Sequence, residues 1–110
     1  MTIYKELKGQ VAVVTGAGRH KGLGEAMARR LALEGVKVVI TDIGTAVGEH
    51  MPESAIGTLN EMNEIVEEIR QAGGEASSFV CNVLNPEEVE AAAKFAVDTY
   101  GSLDIWVNNA

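Results

Sequence analysis

Cysteine is nearly absent from this chain: Cys81 is the only one in 110 residues, so no disulfide can close within it and no Cys-based zinc cluster can form. That usage fits a reducing, intracellular setting, and a soluble cytoplasmic protein is the expectation. Basic residues are also scarce, with nine Lys and Arg against sixteen Asp and Glu and a net charge of −7. Polyanions are gripped by Lys and Arg, so nucleic acid and anionic membrane surfaces drop out as expected partners. Long apolar runs are missing too. None approaches the roughly 18 residues of a membrane span, and the opening MTIYKELKGQ is mixed and polar, unlike a secretory signal core. What remains is an ordinary globular composition, 46% hydrophobic and 23% charged, which excludes collagen-like and disordered chains and permits a packed core.

The β-branched run QVAVVT stops at Gly16, and after a glycine cluster Leu23, Ala26, Met27 and Leu31 recur at helical spacing, with Arg29, Arg30 and Glu34 assigned to the outer face. Gly35 ends that helix. A second β-branched run over residues 36–40 closes at Thr41 and Asp42. Residues 43–58 hold Gly44, Gly48, Pro52 and Gly57 and no clear period, which reads as a loop; it is long against the roughly 2–6 residues usual between strand and helix. Leu59, Met62, Val66 and Ile69 then step along one helical face until Gly73 and Gly74. ASSFVCNV gives a third strand over residues 76–83. Asn85 and Pro86 start a helix, as cap and first-turn residue, with Glu87 and Glu88 where the helix dipole favours carboxylates. Val89, Ala93, Ala96 and Tyr100 carry its apolar stripe to Gly101, and LDIWV leads from Leu103 into the closing NNA. The order β-α-β-α-β-α-β, with nearly continuous apolar strands, predicts an α/β fold: a doubly wound, Rossmann-like parallel sheet of four strands with helices on both faces.

Chemistry concentrates at two places. In VVTGAGRHKGLG, Gly16, Gly18, Gly22 and Gly24 lie between first strand and first helix, where a sharp turn lets a pyrophosphate approach the helix N-terminus. Many strand-to-helix turns use a glycine or two without binding anything, so the loop gains force from its position. It lacks the Gly-Lys-Ser/Thr ending of a nucleoside triphosphatase loop, because Gly22 and Leu23 follow Lys21. Asp42 ends the second strand 18 residues after Gly24, near the roughly 20 expected of an acid that bonds ribose hydroxyls. A carboxylate there repels a 2′-phosphate and ranks NAD before NADP. Arg19, His20 and Lys21 pull the other way, since basic loop residues can reach that phosphate.

With TGAGRHKGLG after the first strand, Asp42 after the second, Cys81-Asn82-Val83 after the third and Asn108-Asn109-Ala110 after the fourth, the chain resembles the short-chain dehydrogenase/reductase family over nearly its whole length. The resemblance implies an NAD(P)-dependent oxidoreductase that moves a hydride between a nicotinamide cofactor and a small carbonyl or alcohol substrate, and a homo-oligomer, tetramer or dimer, when complete. It implies that Gly16, Gly22, Leu23 and Gly24, within the loop that also holds Gly18 and Arg19, cradle the pyrophosphate. Asp42 and Ile43 would hold the adenosine ribose, Asn82 and Val83 would flank the adenine, and Asn109 and Ala110 would lie near the nicotinamide ribose and steady the central strand.

Two features depart from the family pattern. Five residues separate Gly16 from Gly22, where the family's usual loop has three, and residues 43–58 form an insertion beside the adenosine end. Glu49, His50 and Glu53 in that insertion read as solvated loop residues, and no metal site is assigned. The family's catalytic Ser, Tyr and Lys lie on a fifth strand and the helix after it. The 110 residues stop before them, so the chain is expected to be the cofactor-binding part, residues 1–110 forming a partial domain with no catalytic residue of its own. Tyr4 and Lys8 share the Tyr-x-x-x-Lys spacing by coincidence, ahead of the first strand. Two other classes stay open: a non-catalytic NAD-binding module, and a methyltransferase with the same sheet order, for which Thr15 stands where an acid is usual.

Overall fold

The computed structural model describes residues 5–43 and 59–109. A short 3-10 turn at Lys5–Leu7 leads into β1 (Val11–Val14), α1 (Leu23–Leu33), β2 (Lys37–Asp42), α2 (Leu59–Gln71), β3 (Glu75–Val80), α3 (Pro86–Tyr100) and β4 (Ile105–Val107). The strands form one parallel sheet in the order β3-β2-β1-β4. Chain order therefore reverses direction at β1, the element that sits between β2 and β4.

Why β1 is apolar at every position follows from the pleat. Alternate side chains point to opposite faces, and here both faces are covered. Ala12 and Val14 pack with Val38, Ile40, Ala76 and the inner faces of α1 and α2. Val11 and Val13 join Val39 and the α3 residue Ala96 on the other side, where Phe79, Phe95, Tyr100, Leu103 and Trp106 close the layer. The doubly wound arrangement is thus written in β1, whose four residues are completely buried.

The helices begin and end on identifiable chemistry. Asn85 caps α3 by accepting the Glu87 N–H at 3.0 Å, an interaction worth about 1 kcal/mol, and Gly101 closes it at φ 92, a left-handed value that costs glycine nothing. Gly35, at φ 89, likewise follows α1. Asp104 joins β4 to β1 beyond the ladder itself: its carboxylate accepts the Val11 N–H at 2.8 Å and its own N–H donates to Val11 O at 2.9 Å.

Several expectations are corrected. The third strand ends at Val80, not Val83, because the backbone turns at Cys81 and Asn82 to meet α3. The fourth starts at Ile105, not Leu103. At the end of α1, the capping residue Glu34 is buried rather than outward and pairs with Arg30 at 3.1 Å. Leu23 is 70% exposed while Ala28 takes the innermost position. On α2, Leu59 is exposed and Ile65 joins Met62, Val66 and Ile69 in the core. On α3, Ala92 and Ala96 are the buried residues. The expected loop over residues 43–58, with Glu49, His50 and Glu53, lies outside the described residues except for Ile43.

Candidate dinucleotide site at the strand ends

Parallel strands deliver their carboxyl ends to one edge, and loops collect there at the point where strand order reverses. Gly16 leaves β1 at φ 64, and the next residue returns to the sheet as the Ala17 N–H donates to Thr41 O at 3.0 Å. Gly18 is pressed against β2 and α2. Its N–H donates to Asp42 Oδ2 at 3.2 Å, and a Cβ built on it would lie 2.3 Å from Met62 Cγ and 2.8 Å from Asp42 Cβ. Gly22 occupies the N-cap position of α1 in extended backbone and supplies no side-chain cap. The first-turn N–H groups of α1, which have no intrahelical acceptor, are therefore left to a ligand or solvent.

Gly24 is hemmed in largely by backbone. A Cβ there would stand 2.6 Å from Asn109 Nδ2, 2.7 Å from Gly16 O and 2.9 Å from Ala17 Cα. Asn109 closes the same knot from just beyond β4, its N–H donating to Thr15 Oγ1 at 3.0 Å and its Nδ2 to Gly16 O at 3.2 Å. Thr15 Oγ1 in turn lies 3.2 Å from Val107 O, to which it donates. Sequence reasoning gave Thr15 no role here; its partners lie more than ninety positions away, and no local signal marks them.

Asp42 stands beside the loop with each carboxylate oxygen accepting one backbone N–H, Oδ2 from Gly18 and Oδ1 from Ile43 at 2.9 Å. A carboxylate offers about four acceptor sites, so capacity for two hydroxyls remains. Next along the edge, the Cys81 N–H donates to Asp42 O at 2.9 Å. The Asn82 N–H donates to Glu88 Oε1 at 3.1 Å, and Asn82 Oδ1 accepts the Leu84 N–H at 3.0 Å. Val83 is exposed on that turn. The structure thus brings Gly16, Gly24 and Asn109 into one cluster and Gly18, Asp42 and Ile43 into another, with Asn82 and Val83 on the adjoining turn. Ala110 lies outside the described residues.

Cys81 is buried beneath this edge, and burial, with the nearby Glu88 charge, pushes its thiol above the usual range. Alkylation by iodoacetamide at neutral pH is accordingly expected to be at least about tenfold slower in the native protein than in urea, because the thiolate is the reacting species. Mass spectrometry of the labelled protein measures the ratio.

Arg19, His20 and Lys21 arch out of the loop toward α1 and α2. Lys21 adopts φ 63, uncommon for a residue with a Cβ. Its N–H donates to Glu25 Oε1 at 2.8 Å, and the His20 N–H donates to Glu61 Oε2 at 2.8 Å. Arg29 completes the network by bonding Glu25 at 2.9 Å and Glu68. Burial works against the Arg29 charge, but the hydrogen bonds to both acids outweigh it and hold its pKa above the ordinary value. The same Arg29 bond, helped by His20, holds Glu68 below the usual carboxylate range. His20, Glu25 and Glu68 present atoms within 4.8 Å of one another, yet Arg29 already bridges the two acids, so the group is an ion-pair network whose resident cation is a guanidinium. Tyr100 has a structural task at the opposite end of the sheet, its hydroxyl 2.7 Å from Ser77 Oγ.

Residues 10–110 match the family model described as short chain dehydrogenase, and the chain belongs to that family. It is 36% identical over 104 residues to the 7alpha-hydroxysteroid dehydrogenase of Escherichia coli (strain K12), covering 94% of this chain and 34% of the relative. It is 38% identical over 101 residues to the cyclohexanol dehydrogenase of Acinetobacter sp. (strain SE19), covering 92% of this chain and 34% of that one. Among solved structures, a hydroxysteroid dehydrogenase from Escherichia coli superposes with a TM-score of 0.77 at 36% identity, over 94% of this chain and 37% of that one. A metagenomic short-chain oxidoreductase in complex with NADP gives 0.73 at 36% identity, over 94% and 39%. The chain therefore spans about a third of the length of these relatives. Among the described residues, no helix is long and apolar enough to cross a membrane.

Proposed function

We propose that this chain forms the dinucleotide-binding part of an NAD-preferring short-chain oxidoreductase acting on a small carbonyl or alcohol substrate. The observation that carries the reading is the placement of Asp42, a carboxylate at the exit of β2 fixed by two backbone N–H groups beside the glycine loop. Gly18 and Gly24 let the loop close onto α2 and the strand exits, where a Cβ would clash, and the uncapped N-terminus of α1 is suited to a pyrophosphate, so the residues present fit the cofactor. The first-turn N–H groups behind Gly22 receive the diphosphate, with Gly16, Leu23 and Gly24 as its walls and Arg19 at its rim. Asp42 and Ile43 take the adenosine ribose. On the adjoining turn, Asn82 and Val83 flank the adenine. Asn109, tied to Thr15 and Gly16, holds the floor near the nicotinamide ribose.

The cofactor's own contribution when bound is hydride acceptance or donation at the nicotinamide. This chain's residues bind and orient it, and no catalytic residue is assigned among them. The names of the relatives, a hydroxysteroid and a cyclohexanol dehydrogenase, support a secondary alcohol on a carbocycle or its ketone as the substrate class. A cytoplasmic homo-oligomer, tetramer or dimer, is the corresponding reading for the complete protein. The neighbour bound to NADP makes the cofactor choice the point to test. Fluorescence titration with NADH and NADPH is expected to show NADH binding at least about tenfold tighter, a difference of about 1.4 kcal/mol. Equal affinities, or tighter NADPH binding, would overturn the preference.

A further inference from the structure

The glycine loop is two residues longer than the family pattern, and the extra length falls at Arg19-His20-Lys21. What holds that arch down is visible. Both ring nitrogens of His20 face carboxylates: Nδ1 lies 3.3 Å from Glu61 and 3.9 Å from Glu64, and Nε2 lies 3.4 Å from Glu68 and 4.0 Å from Glu25. Its main-chain N–H is also taken by Glu61. A single residue is therefore gripped at the backbone and at both edges of its ring, by acids from α1 and α2. The Glu61 and Glu25 side chains occupy the N–H groups of His20 and Lys21, so these two donors are withheld from a phosphate.

We propose that His20 is a positioning residue: a latch that fastens the lengthened loop to α2 through Glu61, keeping the arch off the α1 N-terminus so that the dinucleotide meets the first-turn N–H groups. The proposal rests on the cofactor reading above. Its physical basis is pre-organisation. An arch with no anchor samples conformations that cover or misplace the phosphate cradle, and affinity falls by the fraction of time the cradle is competent. Glu61 supplies the anchor because it lies in the first turn of α2, beside the point where Met62 packs over Gly18.

The test compares the protein with its H20A, H20Q, E61A and H20A/E61A variants by NADH titration, circular dichroism and limited trypsin cleavage after Arg19 and Lys21. If the competent fraction falls to about a tenth, the H20A dissociation constant for NADH rises about tenfold. Cleavage within the arch accelerates, while helix content and melting stay at wild-type values. H20Q, which keeps one side-chain donor for the acids, recovers part of the affinity. E61A weakens binding at least as much as H20A, because it releases the His20 main-chain N–H as well as the ring, and the double variant loses less than the sum of the two because the ring contact with Glu61 is shared. NADH affinity within twofold of wild type in both H20A and E61A, with unchanged cleavage, would overturn the latch. A wild-type protein that fails to bind NADH sinks the cofactor reading instead, and the cleavage rates still decide whether His20 fastens the arch.

Discussion

Replacing Gly24 by alanine is expected to destabilise the fold by about 1–3 kcal/mol, the usual range for forcing an extra methyl into a packed site. It is also expected to weaken NADH binding at least about tenfold, about 1.4 kcal/mol. The reason lies in what the new Cβ would meet. Two of its three nearest neighbours are backbone atoms, Gly16 O and Ala17 Cα, and the third is the Asn109 amide already bonded to Gly16. A flexible side chain could swing away, but a strand exit cannot. Either the N-terminus of α1 withdraws from β1 or the Asn109 knot opens, and each alters the cradle for the diphosphate. Urea denaturation and NADH titration of G24A report the two effects separately. Wild-type values in both would mean that the close approach at Gly24 has no energetic weight.

Asp42 is expected to have the larger effect on which cofactor binds. Substitution by alanine removes the acceptor for the Gly18 and Ile43 N–H groups and the proposed acceptor for the ribose hydroxyls. Hydrogen bonds to a charged group are worth about 1.5–3 kcal/mol each, so NADH affinity is expected to fall about 10- to 100-fold. NADPH, no longer facing a carboxylate, is expected to lose little or to gain. The conservative D42N variant separates the causes, because it keeps one acceptor oxygen while removing the charge. Parallel titrations of the three proteins with both dinucleotides measure the preference; an unchanged NADH to NADPH ratio in D42A would remove Asp42 from the specificity argument.

How much of this was legible in the sequence depends on how local its cause is. The Leu23 start of α1, its stop ahead of Gly35 and the Asn85-Pro86 start of α3 follow from caps and periodicity within a few residues, and they stand as read. The sequence overextends the third strand because VCNV continues the apolar run beyond Val80. What stops it is Glu88, six residues on and part of the next helix, which bonds the Asn82 N–H. Glu34 defeats its outward assignment because it is buried with an arginine four positions before it. The glycine loop and Asp42 were readable as candidates from type and spacing. Their supporting shell was not: Glu61 and Glu68 reach His20 and Arg29 from α2, across a segment whose length gives no clue to register, and Asn109 reaches Thr15 from the far end of the chain.

The clamp that Asp104 places on Val11 has a kinetic side. None of the three strand pairings is local, and the one at β4 spans 93 residues. Closing so long a loop costs entropy before any contact compensates it. The β3-β2-β1 unit with its two crossover helices can assemble over shorter separations, so β4 has the least reason to arrive early. Because Trp106, the only tryptophan of the 110 residues, sits on that strand, the molecule carries a natural optical reporter on the strand whose pairing closes the longest loop among the described strands.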